Sequence, residues 1–206
     1  MDSILISGDL PPEIADALLT SDVIAVDTET TGLDWRADNL QLCQLYSPAC
    51  GPVLLRHVVD FPAQLARVFA SPEALKVFHF APFDIRFLEA QWKTPLNRIA
   101  CTKAASKFLR PDLPSKSHSL DAVLQRELGV SISKGAVRTS DWGAEVLSDE
   151  QVAYASSDVT HLVELYQKLA SQLADRNTDD LYRSACDYML VDARLEMAGV
   201  PNPLNY

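Results

Sequence analysis

Residues 23–33 read VIAVDTETTGL, and the two carboxylates in this stretch constrain the chain more than any other feature. Val23, Ile24 and Val26 suit a buried strand, because β-branched side chains pack well on a pleated surface. Side chains alternate faces along a strand, so Asp27 and Glu29 project to the same side. Two anions side by side, partly withdrawn from water, raise each other's pKa unless a positive charge sits between them. The end of this strand therefore either opens to solvent or holds a cation.

A chain of 206 residues can bury one good-sized core, and a single domain over 1–206 is expected. With 48% hydrophobic and 22% charged residues it has the composition of an ordinary globular protein. No apolar run approaches the roughly 18–20 residues that span a bilayer, so no membrane segment is expected. The acidic opening MDSILISGDLPPE lacks the basic region of a signal peptide, which gives a cytoplasmic expectation. Cys43, Cys50, Cys101 and Cys186 form no CxxC pair and no zinc spacing, and read as free thiols in a reducing compartment. The net charge of −10 argues against a broad nonspecific nucleic-acid surface. Residues 98–138 run the other way, with eight Lys or Arg against three acids. A local phosphate-binding patch and an ordinary solvated surface both fit that segment.

Residues 3–6 suit a short strand. A helix follows from GDLPPEIADALL, with Asp9 as its cap and prolines in its first turn. Strands are expected at about 22–28, 40–46 and 52–57, and their short links suit antiparallel neighbours. Beyond them the pattern turns to α/β alternation: FPAQLARVFA a helix, ALKVFHF a strand, PFDIRFLEAQW a helix opening on Pro82. The rest reads as helices at about 102–109, 119–128, 148–175 and 178–198, with Ser148 and Gln151 as a capping box for the long one. The expected class is α/β, a mixed sheet flanked by helices with a helical C-terminal half.

Two further acids stand out. Asp84 falls in the first turn of its helix, where complementing the helix dipole is reason enough for an acid. Tyr154 and Asp158 are four apart on a helix and share a face beside its apolar stripe. His161 faces the same way and reads as an ordinary surface or supporting group.

These signals fall in a recognisable order. A strand with DxE (DTETTGL), an Asp on a helix after a strand (HFAPFD) and YxxxD on a later helix (YASSD) resemble the DEDD superfamily of 3′→5′ exonucleases, in its Tyr-containing branch. The stretch LGVSISKGAVRTSDWGAEVLSDEQVAYASSDVTHLVELY resembles ribonuclease D, and the likeness runs from about residue 20 to residue 170. The length and the closing CDYMLVDARLEMAGVPNPLNY resemble the short subgroup that includes nano-RNase C, with no room expected after residue 200 for the helical nucleic-acid-binding domains that follow the catalytic domain of full-length ribonuclease D.

The resemblance implies a ribonuclease H-like fold and hydrolysis of short oligoribonucleotides, down to dinucleotides, to 5′-nucleoside monophosphates. Trimming of longer RNA such as tRNA 3′ ends, attack on DNA, and nucleic-acid binding without catalysis are the alternatives. It implies two divalent ions, Mg²⁺ or Mn²⁺, held by Asp27, Glu29, Asp84 and Asp158. Asp27 would bridge the ions, Glu29 and Asp158 would complete one site, and Asp84 would reach the other through water. Tyr154 would orient the attacking water. Thr30, Gly32, Leu33 and Phe83 would receive the substrate: the Thr30 backbone on the terminal sugar, Gly32 permitting close approach, Leu33 as a wedge against the last base, Phe83 as an apolar wall. A homo-oligomeric ring, as an octamer, is implied as well.

Overall fold

The structure, a computed structural model, describes residues 3–58, 61–132, 137 and 140–200. Strands β2 (Val23–Thr30), β3 (Leu40–Ser47) and β4 (Gly51–Arg56) form an antiparallel meander, as their short links require. Strand β1 (Ile4–Ser7) lies parallel to β4 at one edge. Strands β5 (Leu75–Phe78) and β6 (Ile99–Cys101) extend the sheet in parallel from β2, giving the order β1-β4-β3-β2-β5-β6. At three residues, β6 is too short to show alternation, and sequence reading passes over it.

Eight helices join and cover the sheet among the described residues: α1 (Pro12–Leu19), α2 (Ala63–Ala70), α3 (Ala81–Gln91), α4 (Thr102–Leu109), α5 (Leu120–Leu128), α6 (Asp149–Thr160), α7 (Leu162–Asp175) and α8 (Asp179–Met197). On one face, Leu42 and Leu54 pack under α6 against Tyr154 and Ala155, with Trp142 and Leu147 closing the cluster. Helix α8 packs along α3. No helix among the described residues is long and apolar enough to cross a membrane. Cys43, Cys101 and Cys186 are buried free thiols, and Cys50 is a half-buried one.

Three local expectations need correction. Asp9 does not cap α1, whose N-cap is Pro11. Its carboxylate instead accepts from Gln64 N at 2.8 Å and Leu65 N at 3.1 Å, which caps α2 from a distant part of the chain. Loss of a helix cap costs about 1–2 kcal/mol, so Asp9→Ala is expected to lower the melting temperature by about 5 °C. Its activity per folded molecule should stay at the parent level; a melt indistinguishable from the parent would refute the capping role.

The helix expected over 148–175 is two helices that meet at His161. Before the break, Ser156, Ser157 and Thr160 each turn a hydroxyl onto a preceding backbone carbonyl. Such bonds compete with the helical ladder and bend it. The third correction is at α3, which starts at Ala81, one residue before Pro82, behind a left-handed Phe80 (φ 89°).

Candidate metal and substrate site

Asp27 and Glu29 lie near the C-terminal end of β2, on the face that α6 covers. The β2–β3 register slips between Glu29 and Thr30, a bulge directly beside the acids, and pairing resumes with Thr30 opposite Leu40. Helix α6 brings Asp158 down onto the same spot. Its start is fixed by the capping box: Ser148 Oγ accepts from Gln151 N at 3.2 Å, and Gln151 Oε1 accepts from Ser148 N at 2.9 Å. Gln151 Nε2 also donates to Ser140 Oγ and Asp141 O, which locks the SDW stretch to the helix. Oxygen atoms of Asp27, Glu29 and Asp158 then lie within 4.8 Å of one another.

Asp84 reaches the same cleft from α3. Thr28 points to the opposite face from its neighbours Asp27 and Glu29, and its Oγ1 donates to Asp84 Oδ1 at 2.7 Å. The Thr in DTE is thus the link between the strand acids and the helix acid, a role invisible until α3 is placed. Tyr154 is buried against Trp142, with ring centroids 6.0 Å apart, and it hydrogen-bonds to Asp158. The cleft they line measures about 290 Å³, with His79, Phe80, Phe83 and Lys103 on its walls.

The charges in this cleft oppose one another. Burial, then the nearby Asp84, Asp158 and Glu29, push the Asp27 carboxyl well above the usual carboxylate range. Burial pushes Asp84 up to about 7, even against the Thr28 hydrogen bond that favours its ionised form. Burial and the anions of Asp158 and Glu29 raise the Tyr154 phenol, so it stays protonated at neutral pH and acts as a donor. The all-oxygen, all-anionic set of Asp27, Glu29 and Asp158 fits a hard divalent cation.

A second cleft of about 520 Å³ holds the residues expected to receive substrate. Thr30, Gly32, Leu33 and Phe83 line it with Trp142. Leu33 is 85% exposed, too much for a turn hydrophobe at rest in a core. Phe83 borders both clefts and packs on Phe87 with centroids 5.0 Å apart. Gly32 has a local reason as well. The Asp38 carboxylate occupies the space of a Cβ at position 32, so the loop's own side chain already requires a glycine there.

The basic segment divides. Lys103 lies in the acidic cleft with its Nζ 4.3 Å from the centre of the Phe80 ring. Arg126 pairs with Glu127, and Arg98 turns away to the carbonyls of Pro72 and Glu73. Lys134 and Arg138 lie outside the described residues, as does the closing stretch 201–206. Phe80 and Lys103 carried no individual signal in the sequence; the left-handed turn that presents Phe80 has no glycine to mark it.

A family model described as 3′-5′ exonuclease matches residues 7–174. Ribonuclease D of Haemophilus influenzae is 29% identical over 86% of this chain and 44% of its own length, and the chain spans less than half of the curated relatives it matches. Among solved structures, NrnC of Brucella melitensis is 29% identical with a TM-score of 0.89, covering 100% of this chain and 97% of that one. That protein has also been solved with bound Mg²⁺ and bound to pGG. Ribonuclease D of Escherichia coli, 21% identical, shares the fold with a TM-score of 0.84 over 94% of this chain and 51% of that one.

Proposed function

We propose, from the premise that the chain belongs to the 3′-5′ exonuclease family, that it is a metal-dependent exoribonuclease of short oligoribonucleotides. It removes 5′-nucleoside monophosphates from the 3′ end, down to dinucleotides. The observation that carries this reading is the meeting of Asp27, Glu29 and Asp158 within 4.8 Å, with Asp84 and Tyr154 in the same cleft. The pGG-bound NrnC, similar over 95% of its length, supports the short substrate.

Asp27, Glu29 and Asp158 would hold one divalent ion, and Asp84, oriented by Thr28, would help to hold a second; Mg²⁺ and Mn²⁺ both suit these ligands. Bound there, the ions would neutralise the carboxylates and the phosphoryl oxygens and lower the pKa of a coordinated water. Tyr154 keeps its proton and orients that water through its hydroxyl. Leu33 and Phe83 would fix the last base, and the Thr30 backbone the terminal sugar. Contacts of this apolar and backbone kind tolerate any base sequence. A homo-oligomer and a cytoplasmic location remain part of the proposal.

The test is a length series with the full chain: a 5′-phosphorylated RNA dinucleotide, a 20-mer RNA and a DNA duplex, each with Mg²⁺, with Mn²⁺ and with EDTA. Mononucleotide release should be fastest from the dinucleotide and cease with EDTA. Equal rates on all three substrates would overturn the short-substrate reading, and a preference for the 20-mer would favour trimming of longer RNA. Binding without turnover would leave a non-catalytic protein.

A further inference from the structure

Beneath α6 the sheet buries polar atoms that the site does not yet use. Gln44, in the middle of β3, is fully buried, and neither its Oε1 nor its Nε2 has a hydrogen-bond partner among the described residues. On β4, Arg56 is buried too. One of its terminal nitrogens donates to Ala144 O, while its Nε has no partner among the described residues. Buried polar groups left unpaired are few in native proteins, and each one asks for an explanation.

The strand register supplies one. Gln44 stands directly opposite Asp27 on β2 and opposite Leu54 on β4, while Arg56 stands opposite Leu42. Directly opposed residues share a face, and diagonal neighbours remain within reach of long side chains. Leu42 and Leu54 pack under α6, so Asp27, Gln44 and Arg56 lie on that same face, with Gln44 between the acid and the guanidinium. A Gln amide has a donor end and an acceptor end. Only one orientation turns the acceptor to the guanidinium and the donor to the carboxylate.

We propose that Arg56, Gln44 and Asp27 form a cross-strand relay in which Arg56 Nε–H donates to Gln44 Oε1 and Gln44 Nε2–H donates to the Asp27 carboxylate. In this arrangement each of the three unpartnered atoms gains a complementary partner. The relay fixes the rotamer of Asp27, keeps one oxygen occupied from behind and leaves the other for the cation. Gln44 and Arg56 are therefore positioning residues that act through Asp27. Such supporting hydrogen bonds commonly set metal affinity by one to two orders of magnitude. The inference deepens the reading of Asp27 as a metal ligand and rests on it.

A merely structural Gln44 and a relay Gln44 make opposite predictions. Under the relay, Gln44→Met keeps most of the side-chain volume but leaves Arg56 Nε–H and the Asp27 carboxylate without their partner, so the metal-free protein should melt somewhat below the parent. Its Mn²⁺ affinity, measured by calorimetry on the full chain, should fall 10–100-fold. Arg56→Lys keeps the charge but loses the Nε–H and should weaken Mn²⁺ binding through the same path. The double variant should then bind Mn²⁺ within about twofold of Gln44→Met alone, since a broken relay cannot be broken twice. Mn²⁺ affinity of Gln44→Met within twofold of the parent would overturn the relay, as would fully additive losses. Should the variants fail to fold, NMR of the unaltered protein decides: a downfield Gln44 side-chain N–H that shifts on adding Mg²⁺ supports the relay, and one indifferent to Mg²⁺ refutes it. Asp27→Ala separates the two levels. If that variant binds Mn²⁺ like the parent, the metal-site reading itself has failed; if it does not while Gln44→Met does, only the relay has.

Discussion

Asp27→Ala is expected to release mononucleotides from a short RNA at least about 10³-fold more slowly than the parent, while folding at least as well in metal-free buffer. The loss follows from geometry: Asp27 is the acid that burial and Asp84, Asp158 and Glu29 all press upon. It is therefore the group whose charge most needs a cation and gives a cation most. Losing several kcal/mol of transition-state charge stabilisation corresponds to about three powers of ten in rate. The gain in folding has the same origin. Without metal, the anions near Asp27 repel it, and removing its charge relieves them. Asp27→Asn keeps the side-chain volume and should melt above the metal-free parent, yet gain little when Mg²⁺ is added. Product chromatography and paired melts with and without Mg²⁺ check both halves. Turnover within tenfold of the parent would contradict the metal scheme, and a metal-free Asp27→Asn protein that melts well below the parent would contradict the electrostatics.

The same tension explains what could be read in the sequence. Asp27 and Glu29 stood out because strand alternation is local: the spacing alone puts them on one face. The antiparallel meander and the α/β alternation after it followed from short links and periodicity, and the ribonuclease H-like mixed sheet stands as expected. Asp84 and Asp158 were ambiguous by themselves, since an acid in a first turn or beside an apolar stripe has ordinary explanations. Only the family resemblance joined them to β2. What stayed hidden depends on contacts between distant segments. Asp9 looks like a cap for the helix that follows it, but caps one some 50 residues on. Thr28 needs α3 above it before its hydroxyl has an object. Gln44 needs the register of three strands. The break at His161 was hidden for a different reason: the apolar stripe continues through it, and the competing hydroxyl bonds leave that pattern intact.

In metal-free buffer the protein should become less stable as pH rises from 5 to 8, and saturating Mg²⁺ should reverse that trend. Asp84 titrates near 7 in the folded chain, and Asp27 is raised as well, whereas both titrate near 4 when unfolded. Between those values the folded state binds more protons than the unfolded one, so each rise in pH favours unfolding. The contribution is full below about pH 4 and is lost as pH passes the folded values. The rise of Asp84 to about 7 corresponds to about 4 kcal/mol over the whole window, and the part between pH 5 and 8 to a fall of about 5–10 °C in melting temperature. Other shifted groups leave this window largely alone. Glu127 and Glu196, although partly buried, are held below the usual range by hydrogen bonds from Gln172 and Arg126 and from Arg86, and matter mainly at lower pH. Burial lowers Lys76 to about 8, so its effect lies above. Cation binding inverts the sign because protons and metal compete for the same oxygens. At a hundredfold excess over Kd the bound ion adds about 2.7 kcal/mol, available in full only where the carboxylates are ionised. Melting temperatures at pH 5, 6, 7 and 8 should therefore lie close together at pH 5 and separate toward pH 8, with Mg²⁺ above EDTA throughout. Parallel curves that rise together toward pH 8 would mean that the acids of β2, α3 and α6 do not share one strained, cation-seeking site.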